Sequence, residues 1–353
     1  MYFLYGTSPS SLTQKAYYLD GITTENGSFN VSVSGLLPNT TYYYRAVIEN
    51  YNGYEYVDVQ GEVMSFTTAA YSQVGKGYLG CYEIPALTLS GTGTSGTNSS
   101  KGDKWFNYGT VSSSQVVATH TFTTGGDQIR NYTVLYDKDR HAPLWAAFPM
   151  HASVYDGTTS RDDSWAYDPA VTPTSVQQTG LDDATTVGYS RGHFVASSYR
   201  KGGDDMNNQT FYYTNQAPQW QNGFNSGVWS TLEDKVRAAS PTASSDTLYV
   251  VVGVLYEGTT KTLPSGSINV PIPSHFYKCL MKCSFNGSGT MTAAKGIAYV
   301  YTNESHTGES YYASSYVTTI DAIESRAGFD FFSNVPKTLQ DAAEGTATPL
   351  WTY

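Results

Sequence analysis

The chain has only six histidines in 353 residues, and one of them, His193, directly follows Arg191-Gly192 in the strand-like run YSRGHFVASSYR. A histidine of ordinary pKa, ~6.5, is largely neutral at mildly alkaline pH and can accept a proton. An arginine beside it is suited to bidentate binding of phosphate. Further on, NSGVWSTLEDKVRAA (225–239) has helical spacing: Val228, Leu232 and Val236 recur as a buried stripe. Asn225, Glu233 and Arg237 lie beside that stripe and fall within about 120° of one another on a helix. One helix side therefore carries an amide, a carboxylate and a guanidinium.

Each feature alone has a plain reading. A strand histidine is ordinarily a packed or surface residue, an Asn at a helix start an N-cap, and a Glu-Arg pair four residues apart a solvated pair. Their order is what carries information: a strand with the histidine, a Gly- and Asp-rich turn at 201–208, a second strand at TFYYTN (210–215), then the helix. This arrangement resembles the ββα-metal, or His-Me finger, nuclease motif, and within it the DNA/RNA non-specific endonuclease family. The core signature of that family, Asp-Arg-Gly-His, stands here as Ser190-Arg191-Gly192-His193. Its later signature is met by Asn215, Pro218, Gln219, Asn225, Gly227, Leu232, Glu233 and Arg237. SRDDSWAYDP (160–169) resembles the family's upstream arginine segment, and VPIPSHFYK and IESRAGFDFFSNVP its last strand and helix. The resemblance covers residues 75–340. Two departures stand out: Ser190 replaces the family Asp, and the interval from Asn215 to Asn225 holds one residue more, which predicts a bulge before the helix. Neither removes a named catalytic group.

The resemblance implies a metal-dependent endonuclease that hydrolyses DNA and RNA without reading sequence or sugar. Phosphodiester hydrolysis must deprotonate a water, neutralise the phosphoryl oxygens and stabilise the leaving oxygen. His193 suits the first task as general base. Arg161, Arg191 and Arg237 suit the second. For the third, the resemblance implies Mg²⁺, with Mn²⁺ or Ca²⁺ as alternatives, bound directly by Asn225 and through water by Glu233. Asn215 is expected to orient His193 or the substrate, and the catalytic set is thus His193, Arg191, Glu233 and Asn215.

The remaining sequence must hold these groups in place. Residues 1–69 read as short alternating strands with turn signals, a β-sandwich pattern. Leu36, Pro38, Thr40, Tyr42 and Tyr44 have the spacing of a tyrosine corner, and the segment resembles a fibronectin type III domain. YFLYGTS resembles that family's third strand, so the sandwich is expected to be truncated, with the chain beginning mid-domain. Residues 70–353 read as one α+β domain with a central, mostly antiparallel sheet. GTGTSGTNSSKGDKW (91–105) is expected to be a loop, NYTVLYDKDRHAPLWAAFPM a hairpin, TLYVVVGVLYEG a buried strand and TIDAIESRAGFDFF a helix ending at Gly328.

Bulk composition narrows the classes. Charged residues make up 14% and the net charge is −10, so long-range attraction to nucleic acid is excluded, though a local arginine cluster is not. Cys81, Cys279 and Cys283 form no CxxC pair, which argues against structural zinc and leaves open one disulfide with one free thiol. His120, His141, His151, His275 and His306 are scattered and form no rival site. Asp182-Asp183 and Asp204-Asp205 offer oxygens for Ca²⁺, but adjacent acids are ordinarily solvated loop residues. No apolar run spans a membrane. The polar, Tyr-rich composition and the sandwich suit a secreted, cell-surface or periplasmic setting, with an export signal absent from this stretch of sequence. A binding or adhesion module on an impaired nuclease fold is the competing reading. Oligomeric state is not legible.

Overall fold

The β-branched run at 246–255 becomes the centre of the molecule because each side of it finds its own core. Val250, Val252 and Val254 pack with Phe194, Trp229 and Leu232 on one face. Tyr249, Val251 and Leu255 pack with Ile320, Ile323 and Phe331 on the other. A strand buried on both faces needs no polar alternation, which explains the unbroken apolar sequence. The computed structural model describes residues 1–17, 31, 33, 41–51, 53–67, 80–91, 93–179, 188–265 and 268–351.

Nine strands form the sheet, in spatial order Val317–Thr318, Met291–Thr302, His275–Phe285, Asp246–Leu255, Ala142–Met150, Asp127–Asp137, Gln115–Thr124, Asp103–Thr110 and Thr94–Asn98. All its pairings are antiparallel. The expected hairpin over 131–150 and the strand over 247–258 are present. The expected loop at 91–105 is instead an edge hairpin of Thr94–Asn98 with Asp103–Thr110. Its outer strand is Ser, Thr, Gly and Asn, largely exposed, so no hydrophobic alternation announces it.

Helices Ile320–Ala327 and Lys337–Glu344 cover one face. Thr319 Oγ1 caps the first by accepting from the Ala322 amide at 3.2 Å, and Gly328 ends it at φ +76°. All three cysteines are buried free thiols in this same cluster, so no disulfide forms among them. Burial pushes the Cys81 thiol up to about 11. Among the described residues no helix is long and apolar enough to cross a membrane.

Near the N-terminus, strands Tyr2–Gly6, Gln14–Tyr17, Thr41–Tyr51, Tyr56–Gln60 and Met64–Thr67 make one antiparallel sheet centred on Thr41–Tyr51. Tyr42 is buried and stacks on Phe66, while the Tyr44 hydroxyl lies 3.8 Å from Met64 Sδ. Leu36, Pro38, Thr40, most of SFNVSVSGL, the boundary at 68–77 and Asp182-Asp183 lie outside the described residues.

The other face of the large sheet carries His193, and a buried ion cluster fastens the loops there. His120 is fully buried between Tyr132 and Tyr212. Its Nδ1 lies 2.7 Å from Asp103 and its Nε2 3.0 Å from Asp168. Thr214 donates to Asp168 at 2.5 Å and Tyr212 to Asp103 at 3.1 Å, so the cluster ties the 162–170 loop and the 212–215 turn to the sheet. Burial opposes the imidazolium, but the two carboxylates outweigh it and push His120 up to about 10. A folded pKa above the unfolded ~6.5 gives stability that is complete below ~6.5 and lost as pH rises through the folded value. Thermal melts of wild type and His120→Phe should therefore differ most near ~pH 6 and converge toward ~pH 10.5. Equal gaps at both pH values would sink this account.

Candidate active site

His193 ends the strand Tyr189–His193, which pairs antiparallel with Gln216–Trp220, His193 opposite Gln216 and Ser190 opposite Gln219. The second strand thus lies just after TFYYTN. TFYYTN itself forms short 3₁₀ turns, because Thr210 and Thr214 direct their hydroxyls to Asn207 O and Asp168. The expected turn at 201–208 contains a short helix, Asp204–Asn208, with Asp204 and Asp205 in its first turn where acids favour the helix N-terminus. Gly192 is required by close approach: a Cβ there would sit 2.5 Å from Gln219 Cβ.

Asn215 is fully buried, and its amide is fully engaged with backbone. Oδ1 accepts from Val195 N at 2.9 Å, and Nδ2 donates to Val195 O at 3.0 Å and Thr210 O at 2.8 Å. It fixes the chain just beyond His193. Of the two expected roles, orienting the histidine segment is the one these bonds serve, because no amide hydrogen is left for a substrate. Asn303 does the same for the partner strand: it accepts from Trp220 N at 2.8 Å and donates to Pro218 O at 2.9 Å.

His193 is half-buried against aromatic rings, with Trp165 at 5.0 Å and Phe211 at 5.4 Å. Its Nε2 is shielded and has no protein partner among the described residues. Burial, and then the charge of Arg161, bring its pKa down to about 3, against a hydrogen bond to the Arg191 backbone and the charge of Asp163. The ring is therefore neutral, with an unused lone pair or N–H at Nε2. Arg191 lies flat over Trp165 at 4.5 Å, and Arg161 over Phe211 at 4.9 Å. Arg161 is also paired with Asp163, Nε at 2.8 Å from both carboxylate oxygens, and is exposed. Its charge is felt by both His193 and Glu233.

The extra residue before the helix is absorbed in a wide, irregular turn at Gln221–Trp229. Asn222, Gly223, Ser226 and Gly227 leave helical geometry, and Gly223 sits at φ +80° with its α-carbon face against Thr307. Regular helix spans only Ser230–Ala238. Asn225 is therefore in the turn, not on the helix, and the expected single helix side bearing Asn225, Glu233 and Arg237 is not formed. A different bond places Asn225: its Nδ2 donates to Ser190 Oγ at 2.7 Å and to Gln221 Oε1 at 3.1 Å. Ser190, in the position of the family Asp, thus anchors the amide through Nδ2 and leaves Oδ1 outside these bonds.

Glu233 faces inward toward Lys278, with Nζ and Oε1 4.0 Å apart. Lys278 is fully buried, donates to Tyr199 OH at 2.9 Å and lies 4.3 Å over Trp229. Burial pushes the lysine down and the carboxyl up, while their mutual attraction opposes both. Arg237 points elsewhere, its Nε and Nη2 both donating to Asp156 Oδ1, so its guanidinium is not gathered with the others. The site therefore collects His193, Arg191, Arg161, Asn225 and Glu233, with Asn215 behind them. Sequence reading missed Lys278, whose one signal is a lone cation inside the apolar strand FYKCLM, and Trp165, which adjoins the arginine segment.

Comparison with known proteins gives the same outline. A family model described as DNA/RNA non-specific endonuclease matches residues 112–338. The chain is similar to Nuclease 1, mitochondrial, of Schizosaccharomyces pombe, 27% identical over 169 residues, 45% of this chain and 51% of that protein. It is similar to a nuclease of Nostoc sp., 28% identical over 222 residues, 60% of this chain and 75% of that one. A nuclease of Serratia marcescens is 26% identical over 213 residues, 59% and 75% respectively. The chain thus spans about half the length of the yeast relative and three quarters of the bacterial ones. The packing of Gly192 yields a direct test. Gly192→Ala should destabilise the protein by about 1–3 kcal/mol in urea unfolding, as overpacking does, and lower activity with it; unchanged stability would show that the strands have room to part.

Proposed function

We propose that this chain, which belongs to the DNA/RNA non-specific endonuclease family, hydrolyses phosphodiester bonds of both DNA and RNA with a divalent cation. The observation that carries this reading is His193: neutral, with a shielded Nε2 that no group among the described residues uses, against two rings that Arg191 and Arg161 overlie. A buried polar atom without a partner is costly unless something else occupies it. A water positioned for attack fits, and Nε2 would take its proton.

Arg191 and Arg161 would hold the phosphoryl oxygens. The stacking of Arg191 on Trp165 fixes the plane of its donor fork, which reduces what must be ordered on binding. Arg161 would exchange Asp163 for substrate, since the pair is exposed and such pairs are weak. Arg237 would serve only by leaving Asp156. Asn225 Oδ1 and the Glu233 carboxylate are hard oxygen donors of the kind Mg²⁺ prefers, and Mn²⁺ or Ca²⁺ accept the same atoms. When bound there, the cation supplies charge neutralisation at the phosphate and leaving oxygen. Lys278 opposes the upward push of burial on the Glu233 carboxyl, and Ser190 keeps the Asn225 amide turned the right way. Phosphate contacts carry no sequence information directly, so both nucleic acids are accepted.

The units proposed are a fibronectin type III-like piece at 1–69 and the catalytic domain at 70–353, in a secreted, cell-surface or periplasmic protein. Incubated with Mg²⁺, the protein should degrade supercoiled plasmid and single-stranded RNA. EDTA should stop it, and His193→Ala should lower the rate at least ~100-fold, the lower range for loss of a general base. If metal-loaded wild type cuts neither substrate, the reading is wrong. Ser190→Ala tests the anchor separately: it should raise the Mg²⁺ concentration for half-maximal activity about 10-fold or more, as loss of an outer partner of a metal ligand does, with the rate at saturating Mg²⁺ far less affected. An unchanged Mg²⁺ requirement would remove Ser190 from the site.

A further inference from the structure

We propose that Trp165, Tyr213 and Tyr167 form a stacking platform for the bases of a single nucleic-acid strand, beside the bond being cut. The proposal rests on the nuclease reading and adds to it which form of substrate the site grips. The three rings make a continuous ladder outward from the histidine. Trp165 is 5.0 Å from His193, Tyr213 stacks on Trp165 at 5.9 Å and 15°, and Tyr167 meets Tyr213 edge-on at 5.3 Å. Arg191 lies over both Trp165 and Tyr213, at 4.5 and 5.8 Å. A phosphate held by Arg191 therefore lies beside the ladder, whose outer ring, Tyr167, is open to the base of a neighbouring nucleotide.

The ladder ends in solvent. Tyr167 is 47% exposed, whereas many tyrosines of the domain, such as Tyr132, Tyr199 and Tyr212, are buried. Its backbone is nevertheless rigidly placed. Ala166, between Trp165 and Tyr167, donates to Phe211 O at 3.0 Å and accepts from Tyr213 N at 3.0 Å. The next residue, Asp168, is locked by His120 and Thr214. An exposed ring on a backbone fixed from both sides is preorganised for contact, not a loosely held surface residue.

Charge supplies the second argument. A chain of net charge −10 gains little from counterion release over a broad surface, so its grip on a polymer depends on short-range contacts near the arginines. Base–aromatic stacking provides such a contact and tolerates any sequence, because every base has a π-face. A closed duplex hides those faces. The platform therefore favours single strands, frayed ends and unpaired segments, without any reading of base edges.

The test compares wild type, Tyr167→Ala and Tyr167→Phe on three substrates with Mg²⁺: oligothymidylate, a duplex of the same length, and an abasic oligomer with the same phosphates. Loss of one stacking ring should raise KM for oligothymidylate about 10-fold with kcat little changed, and Tyr167→Phe should restore it. The gap between wild type and Tyr167→Ala should shrink on the duplex and vanish on the abasic oligomer. Wild-type KM for Tyr167→Ala on oligothymidylate, or an equal loss on the abasic oligomer, would overturn the platform. Fluorescence anisotropy of labelled oligothymidylate and abasic oligomer, with His193→Ala in EDTA, keeps the two readings apart. A wild type that cleaves nothing overturns the nuclease reading. The anisotropy still decides the platform, by whether oligothymidylate binds more tightly than the abasic strand and loses that advantage in Tyr167→Ala.

Discussion

A ribbon of two strands cannot hold itself together in water, and Arg191 and His193 sit on such a ribbon. Among the described residues, Tyr189–His193 and Gln216–Trp220 pair only with each other, outside the nine-stranded sheet. An isolated hairpin is marginal at best, so its stability must come from elsewhere. Side-chain amides supply it. Asn215 bonds the main chain at 195 and 210, Asn303 bonds it at 218 and 220, and Gln178 and Gln216 exchange bonds with each other's backbone at 3.0 Å. Each takes the place of a ladder neighbour the ribbon lacks. Because these amides are buried and their backbone bonds made, each would be expensive to unmake. That is what keeps His193 in one place despite its position at a strand end.

The same face holds an unusual amount of buried charge for a chain with so few charged residues. His120 lies between two carboxylates, Arg200 reaches Asn131 and Pro149 carbonyls while fully buried, and Lys278 stands near Glu233. Such groups rarely add net stability compared with apolar packing, but removing one partner leaves the other stranded. Their common result here is placement. The His120 cluster fixes the loop carrying Trp165, Arg200 fixes the segment after the histidine strand, and Lys278 fixes the carboxylate on the helix. Most other charged side chains, such as Lys337 and Asp341, lie exposed, so these buried ones stand apart.

What the sequence disclosed follows from how local each signal is. The strand at 246–255 and the helix at 320–327 were legible because burial on two faces and a Thr cap with a Gly stop are written in consecutive residues. The Arg-Gly-His run was legible for the same reason. TFYYTN misled because its aromatic content favours strands, yet its two threonines bond elsewhere in the fold. The helix was extended too far toward Asn225 because an apolar stripe does not reveal that Gly223 and Gly227 unwind the chain before it. The edge hairpin at 94–110 has almost no apolar residues on its outer strand. Lys278 and the His120 cluster were hidden for a different reason: their partners are 45 residues away (Glu233) and 17 and 48 residues away (Asp103 and Asp168), so no window of sequence contains the site they make.

The bond from Trp220 to Asn303 spans 83 residues, and this has a consequence for synthesis. The meander from 94 to 150 can close as it emerges, each strand meeting the one before it. The ribbon with His193 lacks its bonds to Asn303 until residue 303 has been made and has cleared the ribosome. For a protein of a family that attacks RNA, the growing chain is thus unfinished throughout the period when it is closest to the message and the ribosomal RNA.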